Sequence, residues 1–237
     1  MNEFELAELS SVEERHWWFV ERRELLRIWI TKNYIDSDTI SIIDVGAGVG
    51  RQAKMLVDDF QMDVTVVEKS DFGAMLCKEK KLKTIQADAT NLPLESDTFS
   101  AAIAMDILEH IEDDSAAVAE IYRILKPDGI FFVTVPAFRF MWSSHDESVS
   151  HVRRYEFKEI REKLESIGFK IIKIRFWNSL LFIPAVFQRV IFSNSADLKM
   201  PNKFLNYIFS KIIRLERNSR IVKYLPGTSI IVELQKR

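Results

Sequence analysis

The stretch Ile42-Ile43-Asp44-Val45-Gly46-Ala47-Gly48-Val49-Gly50 constrains this chain more than any other. β-Branched residues running to Val45 suit a strand covered on both faces, the condition found in parallel sheets. Gly46 and Gly48 then let the backbone approach a ligand where a Cβ would collide. The residues that follow place Ala53, Leu56, Val57 and Phe60 at i, i+3, i+4 and i+7, one stripe of a helix. A strand that ends in a glycine turn and opens a helix is a nucleotide-type ligand site at the carboxyl edge of an α/β sheet. The spacing is G-x-G-x-G, not the dinucleotide G-x-G-x-x-G, and an acid, Asp44, stands two residues before the first glycine.

Further signals follow in order. Val64-Thr65-Val66-Val67-Glu68 reads as a second strand ending in an acid, and Gln86-Ala87-Asp88-Ala89 places another acid after a third strand. Ala101 to Asp106 reads as a fourth strand, with Ile107-Leu108-Glu109-His110 as the turn after it. Lys126-Pro127-Asp128-Gly129 precedes the apolar run Ile130 to Val135, a fifth strand. From about 40 to 135, short apolar strands alternate with helices, which argues βαβ units with right-handed crossovers.

Taken in sequence, these motifs resemble those of the class I S-adenosylmethionine-dependent methyltransferases. The resemblance implies an α/β, Rossmann-like seven-stranded sheet, mostly parallel with the last strand antiparallel, and S-adenosylmethionine as donor with S-adenosylhomocysteine as product. By the same resemblance Asp44, Gly46, Ala47 and Gly48 orient the methionine end of the cofactor, and Glu68 with Lys69 meets the ribose. Asp88 and Ala89 meet the adenine edge, and Met105 and Asp106 line the methionine side.

A chain of 237 residues suits one domain over 1–237. Its net charge of -2 gives no global drive toward nucleic acid or anionic lipid. Cys77 is the only cysteine, so no internal disulfide is expected, which fits a reducing cytoplasm. Met1 to Ser11 is acidic without an apolar run, so no signal peptide is expected, and no stretch reaches the ~18 apolar residues of a spanning helix.

Two regions lie outside the shared pattern. Residues 12–34 predict one amphipathic amino-terminal helix, within which His16-Trp17-Trp18-Phe19 and Arg22-Arg23 resemble the HWWF-x-x-RR opening of one subgroup of these methyltransferases. Its aromatics either clamp the helix onto the core or form part of a lid. Residues 177–227 form a helical insertion before the last strand, where the family has a short connection. It carries Leu180-Leu181-Phe182-Ile183 and, past Asn194-Ser195, a second helix with basic residues including Lys199, Lys203, Lys211, Arg214 and Arg217. Such a hairpin could lie on a membrane face, or pack on the core or a second subunit, so monomer and homodimer both stay open.

The acceptor side is placed in Met141 to Tyr155, after strand five on the ligand rim. It resembles the W-S-x-H-D…H-x-R-R-Y stretch of the same subgroup. His145 and then His151 are the candidate catalytic bases, with Trp142, Arg153, Arg154 and Tyr155 as substrate contacts. No third ligand joins His145, Asp146 and His151, so no metal is expected there. The expected activity is O- or N-methylation of a small-molecule acceptor, with sugars and lipid-linked intermediates as candidate classes. Two alternatives stay open: an NAD(P)-dependent oxidoreductase, because Tyr122 and Lys126 match Y-x-x-x-K, and a non-catalytic cofactor-binding relative.

Overall fold

The computed structural model describes residues 3–34, 40–191, 200–219, 222 and 225–237. Seven strands form one sheet: β1 (Ser41–Val45), β2 (Asp63–Glu68), β3 (Lys83–Gln86), β4 (Phe99–Met105), β5 (Leu125–Pro136), β6 (Phe169–Trp177) and β7 (Ser229–Lys236). Their order is β3-β2-β1-β4-β5-β7-β6. β1 to β5 pair in parallel, and β7 runs antiparallel between β5 and β6. The strand order reverses between β1 and β4, which opens a crevice at their carboxyl ends.

Alternation along each strand serves two cores. Ile43, Val45, Ala102, Phe131 and Val133 join one apolar cluster, while their neighbours Ile42, Ala101, Ile103 and Phe132 join another. Helices α5 (Asp114–Ile124) and α7 (Phe157–Ile167) cover the first through Val118, Ile121, Ile160 and Leu164. Helices α2 (Trp17–Tyr34) and α3 (Arg51–Phe60) cover the second through Leu26, Trp29, Ala53 and Leu56. Both faces of the sheet are therefore dry, as a parallel sheet requires.

The helix expected over 12–34 begins only at Trp17, as α2, and a separate helix, α1 (Glu3–Val12), precedes it. The break lies at His16, whose Nδ1 accepts the Trp18 amide at 3.2 Å and so caps the second helix. A side chain that satisfies an amide at a helix start competes with continuing the helix through it. Lys126 to Gly129 is not a separate turn but an irregular lead-in within β5, with Asp128 at φ 64° and a register shift against β4.

Between β6 and β7 stand α8 (Phe182–Ile191) and α9 (Lys203–Asn218). Asn194, Ser195 and Lys199 lie outside the described residues. Helix α9 docks on α2 through a buried acid: Glu21 accepts hydrogen bonds from Ser210 Oγ and from Arg214 Nε at 2.9 Å, with Arg217 Nη1 at 3.4 Å. Asn206 ties the start of α2, accepting from Trp17 N and donating to the Arg15 carbonyl. Two of the basic residues on the rim are thus paired within the protein. Ile183, Phe187, Phe204, Tyr207 and Leu215 remain exposed on the outer side of the pair.

Candidate active site

A cavity of about 470 Å³ opens at the carboxyl edge of the sheet. One wall is the turn after β1. Gly46, Gly48 and Gly50 all have positive φ, and a Cβ on Gly46 would lie 2.3 Å from Ile107 Cγ1. That close approach explains why the first position must be glycine. The Glu68 carboxylate at the end of β2 accepts from the Gly48 amide at 2.9 Å and from the Ser70 amide at 2.9 Å. It is fixed on the turn rather than free at a strand end.

Asp44 lies behind this turn, 1% exposed, and among the described residues neither of its carboxylate oxygens has a hydrogen-bond partner. Burial, with Glu13 and Glu68 as neighbouring acids, pushes its pKa up to about 7 against the pull of Arg22. An orphaned buried carboxylate under a tight glycine turn suits a ligand that brings a positive charge. The ammonium and sulfonium of S-adenosylmethionine fit that description, and Glu68 fits a pair of ribose hydroxyls.

Asp106, just past β4 and at φ 54°, accepts from Arg22 Nη1 at 2.8 Å and from Thr134 Oγ1 at 2.8 Å. The amino-terminal helix is therefore bonded directly to the floor of the site. His16, Trp17, Trp18 and Phe19 all border the cavity. Trp18 packs on Trp177 with ring centroids 4.6 Å apart, and Trp17 on Phe209 of α9 at 5.4 Å. Burial lowers the His16 pKa to about 4, so its ring is neutral.

The opposite wall comes from the segment between β5 and α7, which includes the short helix α6 (Ser144–Ser148). Its centre is Asp146, fully buried. It accepts from Arg154 Nε at 2.7 Å, from His151 Nδ1 at 2.9 Å, from Arg189 Nη1 of α8 at 3.2 Å and from the Ser143 amide at 3.0 Å. Burial alone would raise its pKa, but the His151 hydrogen bond and the two guanidiniums hold it well below the carboxylate range. His145 borders the cavity, and burial together with Arg189 lowers its pKa to about 3.

Of the residues predicted for the cofactor, Gly46, Ala47, Gly48, Glu68, Met105 and Asp106 border the cavity. Asp44 sits behind it. Lys69 and Asp88 form an ion pair at 2.8 Å on the rim, and Asp88 also accepts from the Thr90 amide and hydroxyl. The Lys69 and Thr90 bonds lower the Asp88 pKa to about 2. Ala89 joins the apolar core. Of the acceptor-side predictions, His145, His151 and Arg154 border the cavity.

The remaining three do not. Tyr155 is fully buried and its hydroxyl donates to Asp114 at 2.6 Å, while Arg153 pairs with Asp114 at 3.1 Å. Both brace the start of α5. Trp142 is partly exposed outside the cavity wall. Arg22, Glu109, His110 and Arg189 border the cavity without having been assigned a part in it by the sequence. Arg22 alone carried a signal, the HWWF-x-x-RR motif. Tyr122, half of the Y-x-x-x-K pair, packs on Phe169 and donates to the Arg237 carbonyl, away from the cavity.

Comparison with known proteins agrees with this geometry. Residues 43–133 match the family model described as a methyltransferase domain. Residues 43–133 are thus a class I methyltransferase domain. A Mycolicibacterium smegmatis protein named "Probable S-adenosylmethionine-dependent methyltransferase" is 21% identical over 166 residues, 69% of this chain and 63% of its own. A sterol 24-C-methyltransferase of Schizosaccharomyces pombe is 25% identical over 132 residues, covering 52% and 33%. A 2-methyl-6-phytyl-1,4-hydroquinone methyltransferase of Oryza sativa subsp. japonica is 25% identical over 141 residues, covering 57% and 43%.

The chain thus spans between a third and two thirds of the length of these curated relatives. Among solved structures, an S-adenosylmethionine-dependent methyltransferase from Archaeoglobus fulgidus superposes with a TM-score of 0.59 at 14% identity, covering 90% of this chain and 94% of that one. The [4+2]-cyclase SpnF superposes at 0.62 and 20% identity, covering 90% and 80%. A cyclase and a methyltransferase sharing this fold show that the chemistry must be argued from the cavity and not from the sheet.

Proposed function

We propose that this chain transfers a methyl group from S-adenosylmethionine to an oxygen or nitrogen of a small, largely apolar acceptor. One observation carries the reading: a single cavity joins the glycine turn and Glu68 to a wall of imidazoles. Displacement at a sulfonium methyl needs donor and acceptor in line and water kept out, more than it needs a strong catalytic group. Gly46 to Gly48, Glu68 and Met105 hold the donor end, with Asp88 at its rim. The pair α8–α9 and the turn before it act as a lid, contributing Leu181, Pro184, Ala185 and Phe209 to the acceptor end. That apolar lining matches the sterol and hydroquinone acceptors in the names of two relatives, and it favours lipid-like acceptors over sugars.

The two candidate bases have different strengths. His145 is neutral at every physiological pH, but its low basicity suits it to orienting an acceptor by hydrogen bonding. His151 carries its proton on Nδ1 toward Asp146, which leaves Nε2 as the lone pair, the arrangement of an oriented general base. Labelled S-adenosylmethionine offered with a panel of hydroquinones and sterols tests the proposal. Label should pass to a hydroxylated apolar acceptor, and His151→Gln should lower turnover roughly 10²–10⁴-fold with S-adenosylhomocysteine affinity unchanged. Absence of S-adenosylhomocysteine binding by the folded protein would overturn it.

A further inference from the structure

Glu109 is a buried acid of the acceptor wall whose chemistry the methyl-transfer reading leaves unused. It is 1% exposed, it borders the cavity, and among the described residues neither carboxylate oxygen has a hydrogen-bond partner. Its neighbour Asp106 is engaged by Arg22 Nη1 and Thr134 Oγ1. A buried carboxylate with no partner either keeps its proton or awaits a cation. The position of two imidazoles decides between these.

His110 and His151 stand beside it, with ring centroids 4.7 Å apart, and one ligand atom from each of the three residues lies within 4.8 Å of the others. His151 Nε2 is 3.8 Å from Glu109 Oε1. The far nitrogen of each ring is held by an acceptor: His151 Nδ1 faces the Asp146 carboxylate at 2.9 Å, and His110 Nδ1 faces the Ser150 carbonyl at 3.2 Å. A carbonyl or carboxylate can only accept, so each Nδ1 carries the hydrogen and, in the neutral ring, each Nε2 presents its lone pair. An imidazole whose outer N–H is fixed on a carboxylate or carbonyl is the usual second layer of a metal ligand.

We infer that Glu109, His110 and His151 bind a divalent first-row transition-metal ion in the acceptor half of the cavity. Two imidazoles and one carboxylate favour zinc, manganese, iron or cobalt over magnesium or calcium, which take oxygen ligands. Ligand atoms on a zinc ion lie about 2.1 Å from it and hence roughly 3–3.5 Å from one another. The three ligand atoms stand within 4.8 Å of one another, so an ion would draw them closer together, and Glu109 has no hydrogen bond to give up. A bound ion would take His151 out of proton transfer and hold an acceptor oxygen as a Lewis acid instead. That last consequence rests on the methyl-transfer reading, but the binding itself does not.

The test uses the full chain without a histidine tag, stripped with chelator, and titrated with Zn²⁺ by calorimetry and with Co²⁺ by visible absorption. One equivalent of Zn²⁺ should bind, and Co²⁺ should give ligand-field bands that Zn²⁺ displaces. Glu109→Gln, which keeps the side-chain shape, and His110→Ala should each weaken binding at least 100-fold while circular dichroism shows the fold retained. Wild-type protein that binds less than one equivalent at 100-fold excess ion would overturn the site. So would binding of equal strength in both variants, which would place the ion elsewhere on the surface. Neither readout involves the methyl donor, so a failure here leaves the transfer reading untouched, and a chain inactive in transfer can still pass.

Discussion

The floor and the roof of the cavity are built in opposite ways. The floor is local: β1, its glycine turn and the end of β2 place Gly46, Gly48 and Glu68 by backbone geometry alone. The roof is assembled across the whole chain, with Glu21 of α2 bonded to Arg214 and Arg217 of α9, and Asp146 bonded to Arg189 of α8. Backbone turns fix a cofactor with little dependence on distant residues. Buried charge networks fix the opposite wall, and removing one member leaves the others without a counter-charge.

If the halves are that different, Asp146→Ala should damage the roof most. It strips two guanidiniums and one imidazole of their acceptor, a loss of about 3–5 kcal/mol for a broken buried pair. At this chain length that corresponds to a fall in Tm of roughly 6–20 °C. S-adenosylhomocysteine affinity at a temperature where the variant is folded should stay within threefold. A parallel loss of cofactor affinity would erase the distinction between the halves.

Acid should reach the roof and cap next. His16, His110 and His145 have folded pKa values of about 4, 3 and 3, below the ordinary 6.5. The unfolded chain therefore binds more protons below pH 6.5, so their contribution is complete above 6.5 and is lost as pH falls toward 4. Each contributes about 1 kcal/mol per pH unit in that window, so urea midpoints should drop steeply between pH 6.5 and 4.5. The triple variant with glutamine at these positions should show a flatter profile. Midpoints as steep in that variant as in the wild type would locate the acid sensitivity elsewhere.

The floor is probed by Glu68→Ala, which removes charged hydrogen bonds on the order of 1.5–3 kcal/mol. Calorimetry should show S-adenosylhomocysteine affinity falling at least tenfold. Unchanged affinity in the folded variant would remove Glu68 from the ribose site. Asp44→Asn should give the smallest effect on stability and the most telling sign. The Asp44 pKa is raised from 3.8 to about 7, so the native state holds its proton more tightly, and stability is lost as pH climbs through that interval. At pH 8 the amide should stabilise the chain by about 1–2 kcal/mol while weakening S-adenosylhomocysteine binding. Loss of stability in Asp44→Asn at pH 8 would show that the carboxylate has a partner in solution.

The same contrast governs what the residue order reveals. Strand alternation, the glycine turn and the acid ending β2 are legible because neighbouring residues decide them. The antiparallel β7 is read by resemblance to the family, and residues 43–133 carry that likeness. Arg22 and Asp106 are 84 positions apart, and nothing in either stretch states that they meet. Tyr155 and Arg153 sit in a motif full of polar groups, yet Asp114, from a helix start 41 positions earlier than Tyr155, turns both inward. Glu109 is silent in the sequence because an acid in a turn after a strand is ordinarily solvated. Only the fold buries it. The helix predicted over 12–34 starts only at Trp17 because a side-chain-to-amide bond from His16 outweighs continued periodicity.

The bond between Glu21 and Arg214 spans 193 positions, and that between Trp17 and Asn206 spans 189. During synthesis the ribosome releases every strand of the floor through β4 before it has begun α9. A nascent chain can therefore present a formed glycine turn while Trp17 and Glu21 still lack Asn206 and Arg214. For that interval their apolar and acidic surface is open to chaperones, and the last third of the chain closes it. Emergence of α9 from the exit tunnel is thus the step that lets the amino-terminal helix α2 close over the carboxyl edge of the sheet.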